Sequence, residues 1–578
     1  MEKEINFVQS VAKEVADLGG KVYFVGGYVR DKFLNLPNKD IDVEVYGLSM
    51  EELETLLSRY GVVEQIGSSF GILMVKGYDI DFALPRTESK IGNKHTDFKV
   101  VVDSDLSVLE ASKRRDFTMN AILQDVLTGK FIDLYGGISD IENKVIRFVN
   151  EETYKEDELR AFRACQFASR FNFTIDPKVI EASKEFQYSL SKERIFEEIN
   201  KALLKSNKPS IAFNYLFEMG IVEKLFPELF ALKGCEQSKI NHPEGDVWEH
   251  TLLVLDESVR LKNSSKRPLS LMYTALCHDM GKPNAQNILP DGKITFYNHE
   301  ILGVPISERF LKRLTNDKQL LKDVTTLTRY HMHGHKVLEM KESTLRKLMV
   351  KVDIEELLLV AEADEKGKGR EKVDYTKQRQ ENVARISSLS NGSFGKIEPY
   401  FKGSDLIQLG YKPGVEMGQL LKEVYESQLN GQSKEHIKSY LVNKINPKQV
   451  ELQVPDVIDI TFNDLIKNDK RALDNSFRRI EWFNQLEKDS NEKYPKTKNR
   501  IPYLIVLSSN KKYKYVFTPV MALQVSLNNV QHKVIFDTKN NKIDERNLLL
   551  KDILNDVYRV NTAQVELFKK VFLRLNAK

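Results

Sequence analysis

The chain has 578 residues, with Lys+Arg 87 against Asp+Glu 83; a net charge of only +4 excludes a uniformly polycationic surface and confines any nucleic-acid binding to local patches. Charged residues at 29% and a mean hydropathy of −0.40 describe a water-compatible chain, and no apolar run reaches the length that crosses a bilayer. Such a length calls for roughly three to five domains, and three far-spaced cysteines (Cys165, Cys235, Cys277) lack metal spacing and fit a reducing, cytoplasmic setting.

MEKEINFVQSVAKEV reads as an amphipathic helix of mixed charge rather than a secretory leader. Lys21–Val25 predicts a strand, Gly26-Gly27 a tight turn, and Val29–Leu34 the start of a helix. Glycines at such a junction let backbone N–H groups approach a phosphate, whose charge the helix N-terminus favours. In the next expected strand, Asp40 and Asp42 stand at i and i+2 and share one face. Two such carboxylates repel unless a divalent cation lies between them, and oxygen-only ligation suits Mg²⁺ that substrate phosphates also bind. A D-x-D pair alone is more often part of a solvated loop. The Gly-Gly turn before it tips the balance toward a metal site, with two-metal nucleotidyl transfer as the expected chemistry.

Asp81 falls in the alternating segment YDIDFA and is a candidate third acidic ligand. Arg115 and Asp116 open another apolar stretch, where an arginine can fork onto phosphate oxygens. Asp157, Arg160 and Arg163 follow at i, i+3 and i+6 of an expected helix, near one face. On spacing alone, Asp157 and Arg160 form an ordinary helix ion pair.

These segments occur in an order that resembles the class II tRNA nucleotidyltransferase/poly(A) polymerase family, members of the polymerase-β-like nucleotidyltransferases. FVGGYVRD with DID carries the first motif, YDIDFALPRTESKIGNKHTDF the third-carboxylate strand and flexible loop, and KRRDFTMNAI and FIDLYGGISDI the next two. EDELRAFRACQFASRFNF is similar to the family's nucleobase-reading helix, and SKERIFEEI to the motif after it. The resemblance implies catalysis by Asp40, Asp42 and Asp81 with Mg²⁺. It implies nucleotide contacts from Gly26, Gly27, Arg30, Arg115, Asp116, Asp157, Arg160 and Arg163. It also implies tRNA (3′ end), ATP and CTP as partners, with C and then A chosen by the protein itself. Gln166 stands where the family often has a further arginine, so the implied triphosphate contacts do not extend to that turn.

Seven of the ten histidines fall between His242 and His335. The adjacent pair His278-Asp279 ends an apolar helix expected over Leu269–Cys277 and offers an imidazole and a carboxylate to one cation; His250 and Asp364 complete the set from neighbouring helices. This resembles the HD phosphohydrolase superfamily, an all-helical metal-dependent fold, with a divalent transition metal or Mg²⁺ expected. His299 and His331 are similar to the extra ligands of binuclear members and mark a second ion site. His333 and His335 are expected to face solvent. Family members with this module imply a phosphodiesterase or phosphatase acting on 2′,3′-cyclic or terminal phosphates.

The expected fold is α+β multidomain: a polymerase-β-like nucleotidyltransferase head (1–145), an all-helical neck (146–235), an HD-type bundle (236–385), a helical tail (396–445) and a small α+β appendage (446–578). Glu371–Arg385 reads as a charged helix, Ser387–Gly395 as a polar linker, and Lys412–Gly414 as a turn that starts a helix. In the appendage, helices are expected over Asp469–Lys488, Glu545–Tyr558 and Thr562–Leu575, with strands Tyr503–Leu507, Tyr513–Val516 and Gln531–Phe536. Lysines and aromatics interleave in KKYKYVF, though a solvated basic strand is the plainer reading. A poly(A) polymerase is disfavoured by GSSFGILMV and by the flexible loop. A phosphohydrolase whose head only binds RNA is disfavoured by the complete Asp40–Asp42 pair.

Overall fold

The computed structural model describes residues 2–38, 40–66, 72–90, 98–369 and 375–445, and the backbone of four strands between 504 and 535. The chain divides into two compact units, 1–399 with 429–431, and 400–428 with 432–578.

The first unit begins with the helix Glu2–Asp17, whose Phe7, Val8, Val11 and Val15 form the apolar stripe expected of a half-buried helix. Phe7 stacks on Tyr78 with ring centroids 3.9 Å apart. The head sheet runs β1 (Lys21–Val25), β2 (Ile41–Tyr46), β3 (Val63–Ile66), β4 (Ile72–Val75), β5 (Ile80–Ala83), β8 (Leu123–Asp125) and β9 (Phe131–Ile132), in the order β3-β4-β5-β2-β1-β8-β9; β6 (Arg86–Lys90) and β7 (Phe98–Val102) make a separate hairpin. Within this sheet, among the described residues, only β2 and β5 pair in parallel, and their register sets Asp42 opposite Asp81. Val25, the last residue of β1, lies opposite Asp42 on its other side. Helix Gly26–Phe33 starts on the glycine pair itself, not after a separate turn, because Gly26 at φ +64° reverses the chain in one residue.

The neck is helical. Helix Leu159–Phe171 starts three residues later than the one-helix reading of 156–173: Asp157 accepts from the Leu159 N–H at 3.1 Å and lies outside it. Asp157, Arg160 and Arg163 therefore do not share one helix face. Five helices then form a bundle: Val247–Leu261, Pro268–Cys277, His299–Leu314, Lys318–Gly334 and Ile354–Gly367. Asp246 caps the first of these on Glu249 N–H at 2.9 Å. A Cβ at Gly281 would stand 2.0 Å from the His299 carbonyl oxygen, so only glycine lets the turn after Asp279 lie against the start of the His299 helix. The charged helix is observed over Tyr375–Leu389, running into the expected linker.

In the second unit, helices Gly403–Gln408, Val415–Leu429 and Lys434–Ile445 surround a core of Phe401, Leu406, Leu420, Val424, Ile437 and Leu441. Strands Leu504–Leu507, Tyr513–Phe517, Met521–Ser526 and Gln531–Ile535 pair antiparallel in sequence order. The Met521–Ser526 strand was not expected, because Met-Ala-Leu is a helix-favouring start that masks the alternation behind it. The expected helices 469–488, 545–558 and 562–575 lie outside the described residues, as does most of the flexible loop.

Candidate functional sites in the head and the helical bundle

The first site is a cleft of about 540 Å³ whose lining includes Gly26, Gly27, Asp42, Arg115, Asp157 and Arg160. A Cβ on Gly26 would lie 3.2 Å from Asp42 Oδ2 and 3.5 Å from an Arg115 nitrogen, so the glycine turn, the carboxylate and the guanidinium meet at one point. Burial, reinforced by the nearby Asp81 and Asp40, pushes the Asp42 carboxyl up to about 6, against the pull of Arg115. Asp81 is raised as well, by burial and by Asp79 and Asp40. Asp40 is exposed just before β2, its N–H donating to Asn38 at 2.9 Å. Two carboxylates that burial and neighbouring carboxylates disfavour as anions, with Asp40 just before them, offer oxygen donors of the kind a hard divalent cation takes.

The other predicted residues of the head are placed differently from one another. Arg30 borders the cleft but is buried: its guanidinium meets Asp31 at 2.6 Å, donates to Asn120 at 2.8 Å and lies over the Phe167 and Phe171 rings. Its donors stay within the head, while the face of its guanidinium packs on two rings of the neck. Asp116 accepts from Arg163 at 2.7 Å and from Asn120 at 2.9 Å. Arg160 donates to the carbonyls of Thr153 and Arg114, each at 2.6 Å. Asp157 accepts from Arg194 at 2.8 Å, and the Asp157–Arg160 ion pair that spacing alone suggests is not formed.

Glu44 was missed. It is 1% exposed, accepts from Arg114 at 2.9 Å and Tyr46 at 2.9 Å, and lies 3.4 Å from Arg115. The period-2 series Asp40, Asp42, Glu44 was its sequence signal. Gln166 also lines the cleft, buried, its side-chain nitrogen without a partner.

The second site lies in the helical bundle. Asp279 is its centre: Oδ2 is 3.3 Å from His278 Nε2 and 3.6 Å from His250 Nε2, while Oδ1 is 3.3 Å from His299 Nε2 and 3.8 Å from His331 Nε2. Asp364 Oδ1 lies 3.1 Å from His250 Nε2. All six predicted residues are buried and converge. The Nδ1 atoms of His278, His299 and His331 lie 2.9, 2.8 and 2.7 Å from the main-chain oxygens of Ala275, Phe296 and Thr328. A carbonyl only accepts, so Nδ1 carries a proton in each, and in the neutral ring Nε2 presents a lone pair inward.

Those lone pairs face acceptors. His299 Nε2 and His331 Nε2 are 3.2 Å apart, and the Nε2 atoms of His250 and His278 are buried without hydrogen-bond partners. Burial and the neighbouring His278 lower His331 to about 3, which keeps it neutral. A shell of imidazoles and carboxylates around one carboxylate fits bound cations; among the described residues three groups are compact enough to hold one, His250–His278–Asp279, Asp279–His299–His331 and, on the outer side of His250, His242–Glu244–His250.

His335 corrects the sequence reading: partly buried, its Nε2 lies 2.7 Å from Asp364 Oδ2. His333 is also partly buried, against Tyr330. Lys282, at 2.7 Å from Asp279, and Glu244 were missed; each stands within six residues of a predicted ligand, Asp279 and His250 respectively.

Three family models match: the poly A polymerase head domain over residues 22–147, the probable RNA and SrmB-binding site of polymerase A over 172–233, and the HD domain over 247–365. The multifunctional CCA protein of Pasteurella multocida is 36% identical over 373 residues, covering 61% of this chain and 86% of that protein. Its counterpart in Pseudomonas fluorescens is 30% identical over 424 residues, covering 70% of this chain and 96% of the relative. This chain belongs to the multifunctional CCA protein family. Among solved structures, the Bacillus stearothermophilus CCA-adding enzyme in complex with CTP shares the fold at TM-score 0.52 and 21% identity, over 77% of this chain and 99% of that one. The Thermotoga maritima CCA-adding enzyme complexed with tRNA does so at TM-score 0.50 and 19% identity, over 76% and 95%. Family members pair a nucleotidyltransferase head with an HD domain, and no described helix of this chain is long and apolar enough to cross a membrane.

Proposed function

We propose that the head adds CCA to the 3′ end of tRNA from CTP and ATP, and that the HD centre clears 3′- or 2′,3′-cyclic phosphate from tRNA ends. The observation that carries the first half is the in-register Asp42–Asp81 pair beside Gly26, at the mouth of an arginine-lined cleft. Asp40, Asp42 and Asp81 would hold Mg²⁺, which when bound activates the 3′-hydroxyl and neutralises the triphosphate. Gly26 and Gly27 offer N–H groups to phosphate, and Arg115 offers a guanidinium whose other neighbour, Glu44, fixes its place. Arg163 locks Asp116, which through Asn120 reaches Arg30, so the phosphate side of the cleft is one hydrogen-bonded frame. Asp157 and Arg160 read the base edge; Arg194 aims the first, and two main-chain carbonyls hold the second.

The second half rests on the converging imidazoles and carboxylates. His250, His278, Asp279 and Asp364 would hold one divalent ion, a transition metal or Mg²⁺, with His299 and His331 holding a second. Such ions supply an activated water and a clamp on the phosphate. Asp279 spans both sets with its two oxygens. The three cysteines are free thiols, all buried, which agrees with a cytoplasmic location.

The test of the head uses a tRNA lacking CCA and each nucleotide separately. CTP alone should add two residues, and ATP should add one only after them. Long tracts from ATP alone would instead establish a poly(A) polymerase.

A further inference from the structure

His250 differs from the other inward-facing histidines in what holds its outer nitrogen. His278, His299 and His331 each use a neutral carbonyl three residues earlier in their own segment. His250 instead faces a carboxylate: its Nδ1 lies 2.7 Å from Glu244 Oε1, an ion-pair contact whose angle falls short of an aligned hydrogen bond. Glu244 comes from the loop before the helix, which Gly245, at φ +131°, leads into the Asp246 cap. Its side chain is 3% exposed, too buried for a solvated charge without a partner. The same oxygen also meets His242 Nδ1 at 2.8 Å, and the His242 ring lies edge-on to His250 at 4.9 Å between centroids.

We propose that Glu244 is a positioning residue of the HD centre: it fixes His250 with the proton on Nδ1 and makes Nε2 a stronger donor to a divalent cation, while His242 secures Glu244. A carbonyl supplies orientation only, whereas a buried anion also increases the basicity of the ring it holds. The consequence is asymmetry. The ion on the His250–His278–Asp279 side is held by a carboxylate-backed imidazole, and the ion on the His299–His331 side is not. This inference rests on the HD centre being a metal site.

The test measures Mn²⁺ binding to the metal-stripped full chain by calorimetry and by metal content after desalting. Wild type, Glu244→Gln, Glu244→Ala and His250→Ala are compared, with apo-protein unfolding as the control for folding. Glu244→Ala should weaken the tighter ion about 10–100-fold, the range for loss of a group behind a metal-bound histidine. Glu244→Gln keeps an acceptor for the Nδ1 proton but loses the charge, so its loss should be smaller than that of Glu244→Ala. The weaker ion should be unchanged in both. If His250→Ala loses metal while Glu244→Ala binds it within twofold of wild type, the role of Glu244 is refuted and the metal site stands. A wild type that takes up no ion refutes the metal site, and this inference with it.

Discussion

The head sets Asp42 opposite Asp81 in its sheet, with Asp42 lining a cleft, whereas the bundle gathers four histidines and two aspartates where solvent does not reach. In the head, carboxylate oxygens stand beside an open cleft, so an ion held there would take much of its shell from substrate and water. In the bundle, nearly every inward atom is a protein donor with its outer nitrogen already fixed. The difference teaches how one chain can keep two candidate metal centres from sharing a role: donor chemistry and burial, set by local sequence, separate them.

The sharpest way to break this separation is to remove one ligand. Asp42→Ala should lower nucleotide addition by at least about 10³-fold, several kcal/mol of barrier, with hydrolysis at the HD centre unchanged. A radiolabelled CTP incorporation assay reads the first, and a cyclic-phosphate hydrolysis assay the second. Near-normal CMP incorporation would remove the acidic site from the account.

Gly281→Ala tests the bundle from the packing side. The new Cβ would meet the His299 carbonyl oxygen and must push the two segments apart, at a cost of about 1–3 kcal/mol. Hydrolysis should fall while addition to a hydroxyl-ended tRNA persists; an equal loss of both would mean that the centres are not independent.

Arg160→Ala should raise UTP and GTP misincorporation relative to CTP and ATP by about tenfold, some 1.4 kcal/mol of discrimination. Competition assays with mixed nucleotides measure it. Unchanged selectivity with lowered stability would make Arg160 a brace between Thr153 and Arg114 and nothing more.

The smallest effect concerns the charge on Asp42. Its folded-state carboxyl titrates near 6 against an ordinary 3.8, so the folded protein gains a proton preference. The neutral form's contribution is complete below pH 3.8 and is lost as pH rises through 6. In metal-free protein, Asp42→Asn should therefore match wild type near pH 4 and exceed it at pH 7, by about 1 kcal/mol once solvent screening is allowed for. Chemical denaturation in chelator at both pH values measures the gap; a gap that shrinks toward pH 7 would contradict the burial of Asp42.

Much of both sites was legible because their residues lie in short motifs with local geometry: Gly26-Gly27, Asp40-x-Asp42 and His278-Asp279 each sit at one strand end or helix end. What sequence did not show was partnership across distance. Arg194 reaches Asp157 from another helix, Glu44 holds Arg114 and Arg115 across 70 residues or more, and His335 bonds Asp364 rather than solvent. The start of the Leu159–Phe171 helix was misplaced because EDEL reads as helix by propensity while Asp157 lies outside it and accepts from the Leu159 N–H. Pairings of this kind depend on which elements the fold brings together, and spacing along one element does not encode them.

The central claim is that two separate centres act in sequence on one tRNA end. A tRNA ending in a 2′,3′-cyclic phosphate has no free 3′-hydroxyl and cannot accept a nucleotide until it is hydrolysed. The direct measurement is extension of that tRNA, with CTP, ATP and divalent metal, by wild type and by His278→Ala and Asp279→Ala, beside a hydroxyl-ended control. Wild type should extend both substrates, and the two variants only the control. If the variants extend the cyclic-ended tRNA as wild type does, the HD centre does not open the end for the head, and the account fails at its core.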